Sequence, residues 1–189
     1  DWVNAKYILM WGWNPSELRD GTNSEYFLKK AKERGAKIVC IDPRMTLSAV
    51  ALADEWVAIR PGTDVALMSA MAYVMIVESL YDADFVGTHC VGFDRSQMPE
   101  GAEGAESYRD YILGTRDGIP KTPEWASTIC GVPEWTIKAL AREWASHITS
   151  TAHSLDGGGL GRGPYSTENK RLEVALLAMQ GLGKPGVHQ

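Results

Sequence analysis

Residues 7–16 of the 189-residue chain read YILMWGWNPS. The first five are a continuous apolar run, and the run stops at Gly12. An uninterrupted run of this length that ends at a glycine is typical of a strand buried on both faces of a parallel sheet. The stretch therefore predicts a buried strand over residues 7–11, followed by a loop with the sequence Asn-Pro-Ser.

A helix and a second strand are predicted after this loop. Residues 24–34 carry apolar positions at helical spacing, Ser24 is suited to cap the start of a helix and Gly35 to end it. Residues 37–41 read KIVCI, a second buried run. A strand, a helix and a strand in this order form a βαβ unit, for which a right-handed crossover is expected.

The alternation of strands and helices continues along the chain. Thr63 or Asp64 can cap a long apolar helix that runs to residue 80, and the region 92–118, rich in Gly, Glu and Asp, predicts an excursion from the sheet. Further strands are predicted at residues 56–59 and 150–155, and further helices at residues 82–88, 122–129, 133–147 and 166–179. The pattern favours one α/β domain over residues 1–189, Rossmann-like, with a mostly parallel sheet flanked by helices.

Composition and charge exclude several classes of protein. The net charge of −5 and the pI near 5.4 leave no basic stripe, so no nucleic-acid partner is expected. With 44% hydrophobic residues the chain can bury a substantial core. The apolar run at residues 65–77 is shorter than the roughly 20 residues that cross a bilayer, so it predicts a buried helix and no direct membrane insertion.

Neither a metal site nor a catalytic residue is predicted within the chain. Cys40, Cys90 and Cys130 are far apart and form no CxxC pair, which excludes an iron–sulfur cluster or structural zinc here and predicts three buried thiols. The four histidines show no metal-ligand spacing. The GxSxG, HExxH and Walker motifs are missing as well.

Four loops follow the predicted strands, at the edge where open α/β sheets bind ligands. They are residues 11–15, 42–44, 60–64 and 157–163. Glycines allow the backbone to approach phosphate closely, helix amino termini attract anions, carboxylates accept protons from ribose or base, and arginines neutralise phosphate. Together these loops predict a nucleotide-bearing ligand.

Each loop also has a structural alternative that the sequence leaves open. Glycines serve turns, Asp-Pro pairs are common in turns, an aspartate can cap a helix, arginines can be solvated and tryptophans can pack in a core. These alternatives apply to Gly12, the 157–163 loop, Asp42 with Pro43, Asp64, Arg44, Arg60, Trp11 and Trp13. The recurrence of such loops at equivalent points of one topology favours ligand binding.

The ordered set of motifs resembles a known family. The chain resembles the molybdopterin oxidoreductases that carry a bis(molybdopterin guanine dinucleotide) cofactor. The resemblance lies in WGWNP at residues 11–15, IDPRMT at 41–46, and ADEW at 53–56 leading to RPGTD at 60–64. Later segments at residues 90–94, 111–114 and 121–127 resemble the dimethyl sulfoxide reductase type of catalytic subunit in particular. The resemblance covers nearly the whole chain, and the ordered set is far more specific than any one motif.

The resemblance implies that the chain is an internal domain excised from a larger catalytic subunit and inactive alone. In the family such a domain holds one guanine dinucleotide arm, while the protein ligand of molybdenum and the cysteines of a 4Fe-4S cluster lie upstream of the first motif. The fragment is therefore expected to contain no molybdenum. A departure lies in the glycine loop, where this chain has Gly157, Gly158, Gly159 and Gly161, whereas reductase-type relatives have fewer glycines and more glutamines.

Within this resemblance each loop receives a role. Asp64 is the candidate for guanine, whose two adjacent N–H donors suit a carboxylate, and Asp42 is the candidate for the ribose hydroxyls. Gly12, Asn14 and Ser16 would face the pyrophosphate with Arg44 as counter-charge, and the glycine loop with Arg162 would face the pterin. The full set of expected cofactor-binding residues is Trp11, Gly12, Trp13, Asn14, Ser16, Asp42, Pro43, Arg44, Gly62, Thr63, Asp64, Gly157, Gly158, Gly159 and Arg162.

The whole protein is then expected to be a molybdenum oxidoreductase that removes oxygen from an S- or N-oxide. Its expected partners are the remaining domains of the same subunit, an iron–sulfur electron-transfer subunit and a membrane anchor subunit. The family implies export to the outer face of the cytoplasmic membrane or the periplasm. Two alternatives stay open, a stand-alone nucleotide-binding module and a hydratase or transhydroxylase of the same cofactor family without net redox chemistry.

Overall fold

A computed structural model of the protein describes residues 1–17, 23–153 and 165–188. Its sheet contains four strands, all parallel, and it confirms the predicted α/β class. The strands are β1 (Tyr7–Trp11), β2 (Lys37–Ile41), β3 (Glu55–Val57) and β4 (Thr149–Ala152), and they lie side by side in the order β3-β2-β1-β4.

The strand order creates a point at which the chain reverses direction across the sheet. From β1 the chain proceeds outward to β2 and β3, and β4 then pairs with the other side of β1. Tyr7 of β1 is accordingly level with Lys37 on one side and Thr149 on the other. In doubly wound sheets ligands bind at such a reversal, outside the carboxyl ends of the strands on either side of it. Here that position lies between β1 and β4.

Eight α-helices within the described residues surround the sheet. They are α1 (Ser24–Glu33), α2 (Leu47–Leu52), α3 (Asp64–Val77), α4 (Ala83–His89), α5 (Tyr108–Leu113), α6 (Pro123–Cys130), α7 (Glu134–Ser146) and α8 (Ser166–Ala178). Short 3-10 turns occupy Trp2–Asn4 and Arg95–Gln97. None of the helices in these ranges has the length and apolar character needed to span a membrane.

The two faces of the sheet pack against different helices. Alternate residues of β1, such as Leu9 and Trp11, contribute to a large core with helices α3, α6, α7 and α8. The residues between them, such as Ile8 and Met10, pack against α1 and α2. Helix α3 is buried around most of its circumference, which confirms the buried helix predicted from its apolar sequence. Because both faces are covered, the strands are apolar throughout, as in β1.

The structure corrects the predicted boundaries of two strands. Strand β3 ends at Val57 because the chain turns away from the sheet, and the backbone N–H of Arg60 donates instead to the carbonyl of Cys130 at 2.9 Å. Strand β4 ends at Ala152, three residues before the predicted end. Helices α2 and α5 lie in segments for which no helix was predicted, and both are capped by side chains, Thr46 and Ser107.

The side-chain capping bonds predicted at the start of α1 and α3 do not form. Helix α1 begins at Ser24 itself, after Asn23 in the left-handed conformation, and the Ser24 side chain is not its cap. Thr63 stands at the cap position of α3, but its hydroxyl donates to the carbonyl of Arg60 at 2.7 Å rather than accepting from the helix. Asp64 is the first residue of α3, and its carboxylate bonds to another strand end. Gly35 follows α1 with a positive φ of 86°, as predicted for a residue that ends a helix.

Candidate functional site

The carboxyl edge of the sheet carries two buried carboxylates. Asp42 follows β2 and is 8% exposed, and Asp64 opens α3 and is 6% exposed. The indole Nε1 of Trp11, the last residue of β1, donates to Oδ1 of Asp64 at 2.8 Å. Because buried carboxylates need donors, this bond helps Asp64 to remain inside the protein at a fixed orientation.

The environment of Asp64 makes ionisation of its carboxyl group less favourable than it is in water. Burial raises the pKa of Asp64 above its ordinary value, the Trp11 hydrogen bond opposes that rise, and the negative charge of Asp42 adds to it. The two carboxylates are therefore close enough to interact. A ligand that donates N–H or O–H groups to both of them would relieve this repulsion.

Asp42 is held mainly through its backbone. Its N–H donates to the carbonyl of Val57 at 3.2 Å, and its own carbonyl accepts from Nε1 of Trp56 at 2.9 Å. The side-chain Oδ1 accepts from the backbone N–H of Arg44 at 2.8 Å, which is the Asx turn common at Asp-Pro sequences. Pro43 is the middle residue of this turn, and the turn orients the Asp42 carboxylate.

A buried polar network connects the loop after β1 with α2. Oδ1 of Asn14 accepts from both the backbone N–H and the hydroxyl of Ser48, at 3.2 and 2.7 Å. The same Ser48 hydroxyl accepts from the backbone N–H of Ser16 at 2.8 Å, and Nδ2 of Asn14 donates to Glu17. These bonds give Asn14 a structural role in holding the loop after β1 against α2. Ser48, fully buried, was missed by the sequence analysis because a lone serine in a short helix carries no signal.

The remaining predicted residues fall into three groups. The side chains of Trp11 and Trp13 are buried in the cores, and the N–H of Gly12 extends the sheet by donating to the carbonyl of Ile41 at 2.9 Å. Pro43, Arg44 and Gly62 are exposed, and Thr63 is half-buried. Gly157, Gly158, Gly159 and Arg162 lie outside the described residues.

Arg60 has a structural role. Its guanidinium donates to the carbonyls of Thr128 and Ile129, at 2.7 and 3.1 Å, near the carboxyl end of α6. Cations stabilise this end of a helix because its last carbonyls lack intrahelical partners. The guanidinium of Arg60 is thus hydrogen-bonded to the protein and is not simply a solvated cation.

A second buried carboxylate cluster lies where β4 ends, and sequence reasoning did not find it. Nδ1 of His153, the residue after β4, lies 2.9 Å from Oε1 of Glu173 in α8. Nζ of Lys170 lies 3.5 Å from Oε2 of the same glutamate. The side chains of His153 and Glu173 are 10% and 1% exposed. No local motif signals this cluster, because its strand and helix members are brought together only by the fold.

The described residues contain no group of three or more histidine, cysteine, aspartate or glutamate side chains arranged to hold a metal. All three cysteines are free, with Cys40 and Cys130 buried as predicted. Cys90 is half-buried, which corrects the expectation of a buried thiol. Burial raises the pKa of Cys40 to about 12, so this thiol is unreactive.

These features define the class of the protein. A parallel sheet with its reversal between β1 and β4, and buried polar side chains at the carboxyl ends of its strands, is a Rossmann-like α/β domain. The chain belongs to the molybdopterin oxidoreductase family, whose model matches residues 1–179.

Curated relatives and a solved structure are similar across almost the entire chain. The chain is 42% identical to dimethyl sulfoxide reductase DmsA of Haemophilus influenzae over 100% of its own length and 23% of that protein. It is 39% identical to the pyrogallol hydroxytransferase large subunit of Pelobacter acidigallici, over 97% of the chain and 20% of the relative. Acetylene hydratase from Pelobacter acetylenicus superposes with a TM-score of 0.73 at 25% identity, over 95% of this chain and 22% of that one. The chain thus spans less than a quarter of the length of these proteins.

Proposed function

We propose that the chain binds one guanine dinucleotide arm of a bis(molybdopterin guanine dinucleotide) cofactor within a larger molybdenum oxidoreductase. The observation that carries the proposal is the pair of buried carboxylates, Asp42 and Asp64, at the carboxyl edge of the sheet. Carboxylates suit this ligand, because guanine offers two adjacent N–H donors and ribose offers hydroxyl donors. A buried pair of acceptors at this edge fits a nucleoside better than it fits an anion.

Asp64 is assigned to guanine and Asp42 to ribose. Oδ1 of Asp64 already accepts from Trp11, so the bond orients the carboxylate, whose remaining acceptor positions are assigned to the base. Oδ1 of Asp42 accepts from Arg44, and its other oxygen would accept from a ribose hydroxyl. Gly12, Asn14, Ser16 and Arg44 are proposed to border the pyrophosphate, and Gly157, Gly158, Gly159 and Arg162 the pterin.

The proposed reaction of the whole protein is removal of oxygen from an S- or N-oxide. The bound molybdenum would supply the oxygen transfer and redox chemistry, and this chain would supply cofactor binding and orientation. The similarity to a dimethyl sulfoxide reductase supports this choice. The same proposal includes two partners, an iron–sulfur electron-transfer subunit and a membrane anchor subunit. It also includes export from the cytoplasm.

A hydratase or transhydroxylase without net redox chemistry is the second candidate. It is favoured by the similarity to a pyrogallol hydroxytransferase at 39% identity, close to the 42% found for the reductase. The two candidates separate in one assay of the full-length protein. A reductase oxidises reduced viologen when dimethyl sulfoxide or trimethylamine N-oxide is added, whereas a hydratase or transhydroxylase leaves the viologen reduced.

The cofactor assignment is tested by the guanine and molybdenum content of the full-length subunit. Asp64→Asn preserves an acceptor for Trp11 but turns an amide N–H₂ toward the donors of guanine, so we expect a folded protein that has lost most of its cofactor. Asp64→Ala should lose both cofactor and stability, because Trp11 loses its acceptor. Asp84→Asn, an exposed aspartate in the first turn of α4, is the matched control and should retain normal content. Normal guanine content in Asp64→Asn would refute the assignment.

A further inference from the structure

Nitrogen-containing aromatic side chains lie at or directly after the carboxyl ends of two neighbouring strands, and each bonds to a buried carboxylate. At the end of β1, Nε1 of Trp11 is bonded to Asp64 of α3 at 2.8 Å. After β4, Nδ1 of His153 is bonded to Glu173 of α8 at 2.9 Å. The indole has no second nitrogen to offer a ligand, whereas the imidazole has one.

The two pairs lie on the same face of the sheet. The register pairs Met10 with Ala152, and both side chains belong to the core on the α1 and α2 side. Side chains alternate along a strand, so the next residues, Trp11 and His153, point to the opposite face. Trp11 indeed belongs to the core formed with α3 and α8, and α8 is the helix that carries Glu173. His153 is therefore placed at the reversal between β1 and β4, beside the end of β1.

The bond to Glu173 fixes which nitrogen of His153 can meet a ligand. Burial opposes ionisation of Glu173, but the hydrogen bond and charge of His153, with the charge of Lys170, outweigh it and lower the pKa of Glu173. An ionised carboxylate only accepts, so Nδ1 of His153 carries the proton of their bond and Nε2 is the second site of the ring. When the ring is protonated, Nε2–H donates to an anion while Glu173 stabilises the positive charge.

We propose that His153, held by Glu173, donates from the Nε2–H of its doubly protonated ring to a phosphate oxygen of the dinucleotide arm. The inference rests on the proposed function, and it assigns to the segment after β4 a ligand contact that the loop after β1 does not supply. Phosphates occupy the crevice at the strand reversal of doubly wound folds, which is where His153 lies. Glu173 is the positioning residue of the pair, since it reaches the ligand only through His153.

The test is calorimetric titration of the full-length subunit, prepared without cofactor, with GDP and with guanosine. Loss of a charge-assisted hydrogen bond should weaken GDP binding about 10- to 100-fold in His153→Gln and leave guanosine binding unchanged. Glu173→Gln should weaken GDP binding in the same direction, and Asp64→Asn should weaken both ligands. His89→Gln, an exposed histidine of α4, is the control.

The outcomes separate the inference from the proposed function. Equal GDP affinity in wild type and His153→Gln overturns the inference alone, and so does a His153→Gln variant that only melts at a lower temperature. A wild-type protein that binds neither GDP nor guanosine overturns the proposed function and the inference with it. Should Glu173→Gln fail to fold, the comparison of GDP with guanosine in His153→Gln still decides the question.

Discussion

Trp11 donates from its indole Nε1 to Oδ1 of Asp64 at 2.8 Å, and the bond joins the last residue of β1 to the first residue of α3. The two residues are separated by 53 positions in sequence. Because the Asp64 carboxylate is only 6% exposed, the bond satisfies one of its acceptors and fixes its orientation at the carboxyl edge of the sheet. For the proposed ligand, this fixed orientation would lower the cost of binding.

The Trp11 bond should be measurable as stability. Trp11→Phe removes the indole donor and leaves a buried carboxylate oxygen short of a partner, which costs about 1–3 kcal/mol. Trp144→Phe is the matched control, because Trp144 is also fully buried while its Nε1 has no hydrogen-bond partner within the described residues. We expect urea unfolding of the chain at neutral pH to show a larger loss for Trp11→Phe than for Trp144→Phe. Equal losses would mean that the bond contributes nothing beyond packing.

Asp64 should make the protein less stable as the pH rises through the acid range. Its pKa in the folded state is raised above the ordinary value of 3.8, chiefly by burial, so the folded protein binds this proton more tightly than the unfolded chain does. Stability therefore declines between the ordinary pKa and the raised one. Asp64→Asn removes this titration, and the variant should gain stability relative to wild type across that window. Urea unfolding at a series of pH values measures the difference, and parallel curves would contradict the prediction.

The strands were predictable because their signal is local. Residues 7–11 and 37–41 are uninterrupted apolar runs that end at loop-forming residues, and both became buried strands with those boundaries. The assignment of Trp11 could not be settled in the same way. Its position at the carboxyl end of β1 is visible in the sequence, but the direction of its side chain into the core depends on α3 and α8, which are distant in sequence.

The short helix α2 shows a different limit. It has only six residues, too few for a periodic pattern, and a single threonine such as its cap Thr46 does not by itself indicate a helix start. Such a helix is stabilised by tertiary contacts, here the burial of Ser48, Ala49 and Leu52. The pairing of His153 with Glu173 also depends on tertiary contacts, because it requires the packing of α8 against β4.

Gly114 and Gly118 should separate backbone strain from steric overlap. Both have a positive φ, 69° and 71°, so alanine at either position costs about 1–2 kcal/mol. A Cβ at Gly114 would also overlap backbone atoms of Ile119 and Pro120, whereas a Cβ at Gly118 would meet no atom within 4 Å. Gly114→Ala should therefore be about 1–3 kcal/mol less stable than Gly118→Ala by urea unfolding. Similar stability of the two variants would show that the backbone of the turn after α5 shifts at little cost to accommodate the Cβ.

Glu173 should affect stability with the opposite sign to Asp64. Its pKa is lowered below the ordinary value of 4.5, because the hydrogen bond and charge of His153 and the charge of Lys170 outweigh its burial. A lowered carboxylate pKa contributes stability that is complete above the ordinary pKa and is lost as the pH falls through the folded-state pKa. Glu173→Gln should thus cost about 1–3 kcal/mol at neutral pH, since it leaves His153 and Lys170 without a buried counter-charge, and the difference from wild type should shrink with acidification. Glu168→Gln is the control on the same helix, where loss of the exposed pair with Arg171 should cost less than about 1 kcal/mol at any pH. If wild type and Glu173→Gln differ by the same free energy of unfolding at acid and neutral pH, Glu173 is not the ionised centre of this cluster.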